Sequence, residues 1–484
     1  MVDLNAATDR PVRRRGTGVF AVAMTLGQVC ALARYTILAR LLGPTELGLT
    51  VTLLLTAQFF DSVTDAGADR FLVQDRDGDL PAVQRMVQLT AVARGSVIAL
   101  CLVLLGAPLA QFYGQPDLAP ALMTLAIAPL IGGFVHLDLR RRQRHHDFRQ
   151  EAKGNLAAEA SSLVATSVAA FMLRSHEAIL FGLVVRSTVL VLVSHLTAER
   201  SYRLGFSPEH ARRLFHFGFP LMLNGLLLFF GSQSDRLVIG RELGVAELGL
   251  YSSVLMLILY PTGTLQRFIS GLFLPLVAAE RRGEQTGALY DLGGFVLLIS
   301  TLSVVGFVVV APFAVVLLFG PRFSHSLLVV ALVGVLQTSR FIRIWPVTGA
   351  LGVGRSSIVL ANNLARFIGV PVGFAAAFLF HRLEFIITGF VAGELIALVV
   401  GVVLINRARG VSLITDFGRI AGYLLICVSV VAAAAGVERS LTLLWVAAAA
   451  LLALTTSYLV VSERRVIVHS IGLVRRAIGR QRGA

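Results

Sequence analysis

Charge is scarce in this chain. Of 484 residues only 15% are Asp, Glu, Lys or Arg, while 56% are hydrophobic, and the mean hydropathy is +0.78. Soluble domains carry about a quarter charged residues, so the composition excludes one and points to a polytopic membrane protein. Lysine is nearly missing: Lys153 is the one lysine among 43 basic residues. The formal net charge of +15 does not point to nucleic acid, because the bases gather between apolar runs rather than along one face. Cysteine is equally sparse. Cys30, Cys101 and Cys427 all fall inside apolar runs without metal-ligand spacing, which excludes a disulfide framework and leaves small buried hydrophobes. The sequence also lacks a Gly-rich phosphate loop, a nucleotide-binding motif, a metal-ligand cluster and a nucleophile–base pair. It is therefore read as no enzyme, with no metal and no cofactor, and the His145–His146 pair as solvated in a basic loop.

What the chain has instead is apolar length. A bilayer core about 30 Å thick takes about 20 apolar residues per helix. Fourteen such segments are expected, at 16–38, 46–70, 86–107, 118–138, 155–173, 177–197, 214–240, 247–277, 289–318, 325–350, 356–380, 384–405, 418–436 and 440–461. The first follows Arg13–Arg15, is too long for a signal h-region and has no small-residue cleavage site, so it is expected to stay as a membrane helix.

Orientation follows from the arginines, which are retained on the cytoplasmic side. They cluster in the N-terminal tail (Arg10, Arg13, Arg14, Arg15), the fourth loop (Arg140, Arg141, Arg142, Arg144, Arg149), the sixth loop (Arg200, Arg203, Arg212, Arg213) and the C-terminal tail. The opposite loops carry isolated bases such as Arg174, Arg322, Arg382 and Arg439. Both termini are expected in the cytoplasm, with the basic clusters serving topology and contact with anionic lipid.

One connector is written twice. Arg40–Leu49 reads "RLLGPTELGL" and Arg241–Leu250 reads "RELGVAELGL", identical at seven of ten positions. The copies join spans 1 and 2 and spans 7 and 8, so both face the same, outer side. That is a parallel repeat: two pseudo-symmetric six-helix bundles, residues 1–205 and 206–410, followed by two peripheral helices at 411–463 and a basic cytoplasmic tail at 464–484. Arg40 and Arg241 are expected to anchor their turns at the membrane surface.

Charges inside spans cost several kcal/mol unless they face water or a partner, so each is a functional candidate. They are Arg34, Asp61, Asp65, Arg94, Arg186, Arg267, Arg340, Arg343, Arg366 and Glu394. Bases outnumber acids seven to three, which suits an anion, and guanidinium forks suit phosphate. Arg34, Arg186, Arg267, Arg340 and Arg343 are the expected substrate-binding residues of a cationic lumen. Asp61 and Asp65 are the expected coupling or gating residues, recurring with Asp69 every four residues along one face of span 2. The repeat offset sets Arg267 beside the position of Asp65, so the two are expected to form a contact across the halves that breaks during transport. Arg94 snorkels on this reading, and Arg366 and Glu394 pair with each other.

"DRLVIGRELGVAELGLY" (Asp235–Tyr251), with "LARLLGPTELGL" (Leu38–Leu49) and "DAG" (Asp65–Gly67), resembles the Wzx-type oligosaccharide flippases of the multidrug/oligosaccharidyl-lipid/polysaccharide (MOP) exporter superfamily. Leu47 and Leu248 depart from the pattern, where an aromatic is expected in the first copy. The resemblance implies a MATE-like MOP fold in the bacterial inner membrane. It implies translocation of an undecaprenyl-diphosphate-linked oligosaccharide from the cytoplasmic to the periplasmic leaflet, for exopolysaccharide, capsule or O-antigen, by alternating access. The partners implied are that lipid-linked substrate, membrane lipids and polysaccharide polymerase machinery, with H+ or Na+ left open as a coupling ion. A MATE-type drug/cation antiporter is the alternative, opposed by the base-rich interior. A membrane polymerase or ligase is the rival of another class, opposed by short outer loops.

Overall fold

The computed structural model describes residues 17–145, 147–283, 287–410 and 414–463. Arg10, Arg13, Arg14, Arg15, His146 and the basic tail from 464 onward lie outside the described residues. Regular structure among the described residues is all helical, as it must be where no water satisfies backbone N–H and C=O groups. The helices are α1 (Thr17–Leu42), α2 (Pro44–Thr64), α3 (Ala68–Gln74), α4 (Pro81–Phe112), α5 (Ala119–Thr124), α6 (Ile127–Gly132), α7 (Asp138–Arg144), α8 (Arg149–Leu173), α9 (Ala178–Leu196) and α10 (Pro208–Glu242). They continue as α11 (Val245–Arg281), α12 (Ala288–Phe319), α13 (Leu327–Ile342), α14 (Ile344–Gly352), α15 (Ser356–Arg366), α16 (Gly369–Phe380), α17 (Leu383–Arg409), α18 (Ile414–Glu438) and α19 (Thr442–Ser462).

Twelve segments among the described residues are long and apolar enough to cross a bilayer, α13–α14 and α15–α16 each counting as one. This is a multi-pass membrane protein. The fourth and fourteenth expected spans are present as the shorter apolar stretches Pro116–Gly132 and Val446–Ser457. The fourth is interrupted at Leu125–Ala126, between α5 and α6, where Pro129 of α6 has no N–H to give the Leu125 carbonyl four residues back.

Span 2 does not run on to residue 70. Helix α2 stops at Thr64, the Asp65 carboxylate accepts the Gly67 N–H at 3.0 Å, and Gly67 takes φ 61°, which ends one helix before α3 starts. Asp61, Asp65 and Asp69 therefore do not line one continuous helix face, as their spacing had suggested. Asp65 sits in the break and Asp69 on α3.

The described residues group into two compact units. The first takes the described residues of Met1–Tyr35, Phe59–Gln111 and Gln115–Gly225; the second takes those of Thr36–Gln58, Phe112–Gly114 and Leu226–Ala484. In the first, Phe71 and Leu72 of α3 pack with Val83, Met86 and Val87 of α4, Leu137 and Leu214 in one buried cluster. In the second, Trp345, Tyr251, Phe273 and Phe341 are among the largest fully buried side chains.

Both copies of the repeated connector belong to the second unit, and each turns on one glycine. Gly43 has φ 89° and Gly244 φ 91°, a region that favours glycine because it has no Cβ. One helical turn later the copies meet. A Cβ on Gly48 would stand 1.7 Å from the Val245 carbonyl oxygen, and one on Gly249 would stand 2.1 Å from that of Pro44. The sequence offset that maps Pro44 onto Val245 also maps Gly48 onto Gly249, so the contact is reciprocal: α2 and α11 cross backbone to backbone. The connector arginines are reciprocal too. Arg40 Nε donates to the Leu318 carbonyl at 2.7 Å and its Nη2 to that of Leu317, at the end of α12. Arg241 donates to the Phe112 carbonyl at the end of α4 and lies 5.4 Å from that ring's centroid. Each arginine thus satisfies C-terminal carbonyls of the third span of the opposite repeat, where a cation also suits the helix dipole.

Candidate functional site

The first unit holds an open charge cluster. Glu159 on α8 accepts Arg186 Nε of α9 at 2.7 Å and faces Arg34 Nη1 of α1 at 3.3 Å; Arg34 also donates to Ser162 Oγ at 2.5 Å. Arg94 of α4 binds Thr64 Oγ1 at 3.1 Å, the Asp61 carbonyl at 2.8 Å and the Asp61 carboxylate at 3.3 Å. Asp65 pairs with Arg70 at 3.2 Å. These side chains stay accessible, with Asp61 64% and Arg186 39% exposed. The expected site residues Arg34, Arg186, Asp61 and Asp65 all lie in this unit, with Arg34 and Arg186 joined by a carboxylate absent from the expectation. Glu159 lies near the expected edge of its span and so looks interfacial. Its signal is periodic: Glu159, Ser162 and Thr166 recur at i, i+3 and i+7, a polar stripe in an apolar helix.

The second unit holds a closed cluster. Glu394 of α17 takes Arg366 Nε at 2.6 Å, Arg340 Nε at 3.2 Å and Arg343 Nε at 3.1 Å, and is 3% exposed. Arg340 also pairs with Asp235 of α10 at 3.2 Å, Tyr251 donates to Asp235, and Arg343 donates to Asn362 Oδ1 at 3.2 Å. Arg366 and Glu394 pair as their sequence suggests. Asp235 and the buried Arg236 were not among the expected intramembrane charges, although both lie in the motif "DRLVIGRELGVAELGLY". Arg340 and Arg343, expected to bind substrate, are buried with carboxylate partners on this unit's own helices. Arg267 differs from both. It lies on α11 between the helix-interior prolines Pro261 and Pro275, is exposed, and has no ion-pair partner among the described residues.

The basic loops of the first unit form a lattice. Arg140 pairs with Glu151 at 2.5 Å, Arg141 with Asp138 at 2.6 Å and Glu199 at 2.8 Å, and Arg213 with Asp77 at 2.6 Å. Arg144 donates to the Val73 and Arg76 carbonyls at 3.2 and 3.0 Å, capping α3, and pairs with Asp79 at 3.2 Å. The hydrogen bond from Arg213 holds the Asp77 carboxyl below its ordinary range. Burial pushes Asp138 up, but the Arg141 guanidinium and the Glu199 N–H overcome it and hold Asp138 low. The same reversal occurs at Asp79, where burial opposes and His145, Arg144 and Arg141 prevail. These arginines do more than set topology: they tie three loops together.

A family model described as "Polysaccharide biosynthesis protein" matches residues 37–328, more than half of the chain and both connectors. The chain belongs to this polysaccharide biosynthesis family. Proteins similar to it include the succinoglycan biosynthesis transport protein ExoT of Rhizobium meliloti (strain 1021), 26% identical over 70% of this chain and 65% of that protein. The lipopolysaccharide biosynthesis protein WzxC of Escherichia coli (strain K12) is 23% identical over 73% of this chain and 76% of that protein. The chain thus covers slightly less than two thirds of the first relative's length. Among solved structures, the fold matches the lipid II flippase MurJ in an inward closed conformation, with TM-score 0.64 and 13% identity over 93% of this chain and 100% of that one. An inward-facing MATE transporter of the MOP superfamily matches with TM-score 0.57 and 16% identity over 81% of this chain and 94% of that one. The fold of this family member is the MATE-like MOP fold.

Proposed function

We propose that this protein is a flippase that carries an undecaprenyl-diphosphate-linked oligosaccharide from the cytoplasmic to the periplasmic leaflet, for exopolysaccharide, capsule or O-antigen synthesis. Family membership and the names of the relatives support a transporter of lipid-linked sugar. The observation that carries the substrate chemistry is Arg267, an exposed guanidinium in the middle of a span without an ion-pair partner among the described residues. Facing hydrocarbon, such a group costs several kcal/mol; facing a wet path, it awaits an anion. A diphosphate supplies that anion, and a cationic drug does not. Arg186 and Arg34, partly accessible around Glu159, are the second contact for the same charge. Arg340 and Arg343 contribute through the positive excess of their cluster. Transport then requires only differential binding in two access states. The connectors' glycine crossing and arginine caps close the outer side in one state and part in the other. Asp61, the most open carboxylate of the first cluster, is the group that responds to a coupling H+ or Na+.

The test is leaflet transfer of a lipid-linked oligosaccharide in reconstituted vesicles. Arg267→Gln is expected to lower transfer by about 10- to 100-fold, the worth of one charge-assisted hydrogen bond, while gel-filtration behaviour stays that of the native chain. Unchanged transfer in the folded variant would sink the assignment.

A further inference from the structure

A cleft of about 400 Å³ opens on the first unit, lined by Pro81, Gln84 and Arg85 of α4 and by Glu199, Arg200 and Arg203 of the segment after α9. Three guanidinium groups line it, and the structure treats each differently. Arg200 is fixed: its Nη1 donates to the Asp79 carbonyl at 2.8 Å and to Gln84 Oε1 at 3.0 Å, which leaves its remaining N–H groups unspent. Arg85 and Arg203 are exposed and have no ion-pair partner among the described residues. The acid in the cleft does not balance them, because the Glu199 carboxylate is held by Arg141 at 2.8 Å and by Arg142. The surplus is therefore local and positive.

The walls are held before any ligand arrives. Gln88 donates to the Val135 carbonyl at 2.6 Å and accepts the Leu137 N–H at 3.3 Å. Tyr202 packs tilted against His195 and edge-on to His136 at centroid distances of 4.8 and 5.6 Å, and His136 Nε2 lies 2.9 Å from the Arg200 carbonyl oxygen. Gly205 lies against the aliphatic stem of Arg85, 3.3 Å from its Cβ by the position a side chain would take. A rigid concavity with three guanidinium groups and no free acid suits a tetrahedral oxyanion, which accepts hydrogen bonds from several forks at once.

We infer that this cleft binds a phosphate group, that of an anionic lipid headgroup at the arginine-rich face of the membrane. The cleft adjoins the N-terminal end of a span, at headgroup level, where a soluble anion would have to compete with a lipid phosphate always present. It shares no residue with the Glu159 cluster.

The test titrates the full-length purified chain with short-chain phosphatidylglycerol, phosphatidylcholine or inorganic phosphate, read by native mass spectrometry and thermal midpoint. Phosphatidylglycerol is expected to bind and phosphatidylcholine not. Arg85→Gln with Arg203→Gln should weaken phosphatidylglycerol about tenfold or more. Arg149→Gln with Arg212→Gln removes the same charge from the N-terminal ends of α8 and α10 and should change it less than threefold. Equal losses in the two double variants, or no loss in the first, overturn the site in favour of diffuse surface charge. Binding of inorganic phosphate with the same arginine dependence and no gain from acyl chains overturns the lipid source and moves the assignment to a soluble phosphate.

Discussion

Glu159 gathers two arginines in the first unit, and Glu394 gathers three in the second. The first assembly keeps its members accessible, so water or a ligand reaches Arg186 and Asp61. The second is sealed, with Asp235 fully buried and Glu394 nearly so. Two carboxylates there face Arg340, Arg343, Arg366 and the neighbouring Arg236, so the cluster keeps an excess of positive charge without exposing it. A sealed ionic cluster fixes helices, whereas an open one binds and releases. Counting intramembrane arginines does not distinguish the two, but their exposure does.

The comparison breaks most visibly at the two acids. Glu394→Gln leaves the buried Arg343 and Arg366 without a carboxylate and Arg340 with Asp235 alone, and is expected to cost about 3–5 kcal/mol, enough to lose monodisperse protein on gel filtration. Glu159→Gln frees Arg34 and Arg186 in an accessible place; the chain should stay folded, with transfer altered rather than abolished by misfolding. If both variants fold equally well, the division into sealed and open clusters fails.

Next in size are the connector glycines. Gly48→Ala and Gly249→Ala each drive a methyl into a backbone carbonyl, which no rotamer relieves, and should each cost about 1–3 kcal/mol in the crossed state. Reciprocity predicts matched effects, visible as increased labelling of engineered cysteines near residues 48 and 249 from the outer side. A loss confined to one copy would contradict the symmetric contact. Arg40→Gln and Arg241→Gln sit below these, about 0.3–1 kcal/mol each by helix-end electrostatics, measured as matched falls in thermal midpoint.

The smallest effect concerns pH. Asp77, Asp79 and Asp138 have folded pKa values held below those of the unfolded chain. Their contribution is present above the unfolded carboxylate value of about 3.9 and is lost as pH falls through the folded values. Hydrogen exchange in residues 75–80 and 138–144 should be flat in protection from pH 8 to 5 and lose protection only below about pH 4. Loss near pH 6 would show that another group controls the lattice.

The membrane spans were legible because hydropathy is summed over many residues, and one wrong residue hardly matters. The breaks were harder to read. The stop at Asp65–Gly67 depends on a single side-chain hydrogen bond, hidden in a segment that stays apolar on both sides. Pairing was harder still: Arg34 and Glu159 are 125 positions apart, and no local pattern encodes that distance. The sequence showed many of the charges that needed an explanation, though not Glu159, Asp235 or Arg236, and side-chain geometry divided them into paired Arg340 and Arg343 and, among the described residues, unpaired Arg267. The repeat was visible as text, but the meeting of its two copies was not.

That meeting has the symmetry of an interface between subunits. Because Gly48 receives the Val245 carbonyl as Gly249 receives that of Pro44, the contact is isologous, the kind formed by two identical subunits about a twofold axis. A change in one copy of the connector cannot be absorbed by that copy alone, because each glycine makes room for the other copy's backbone.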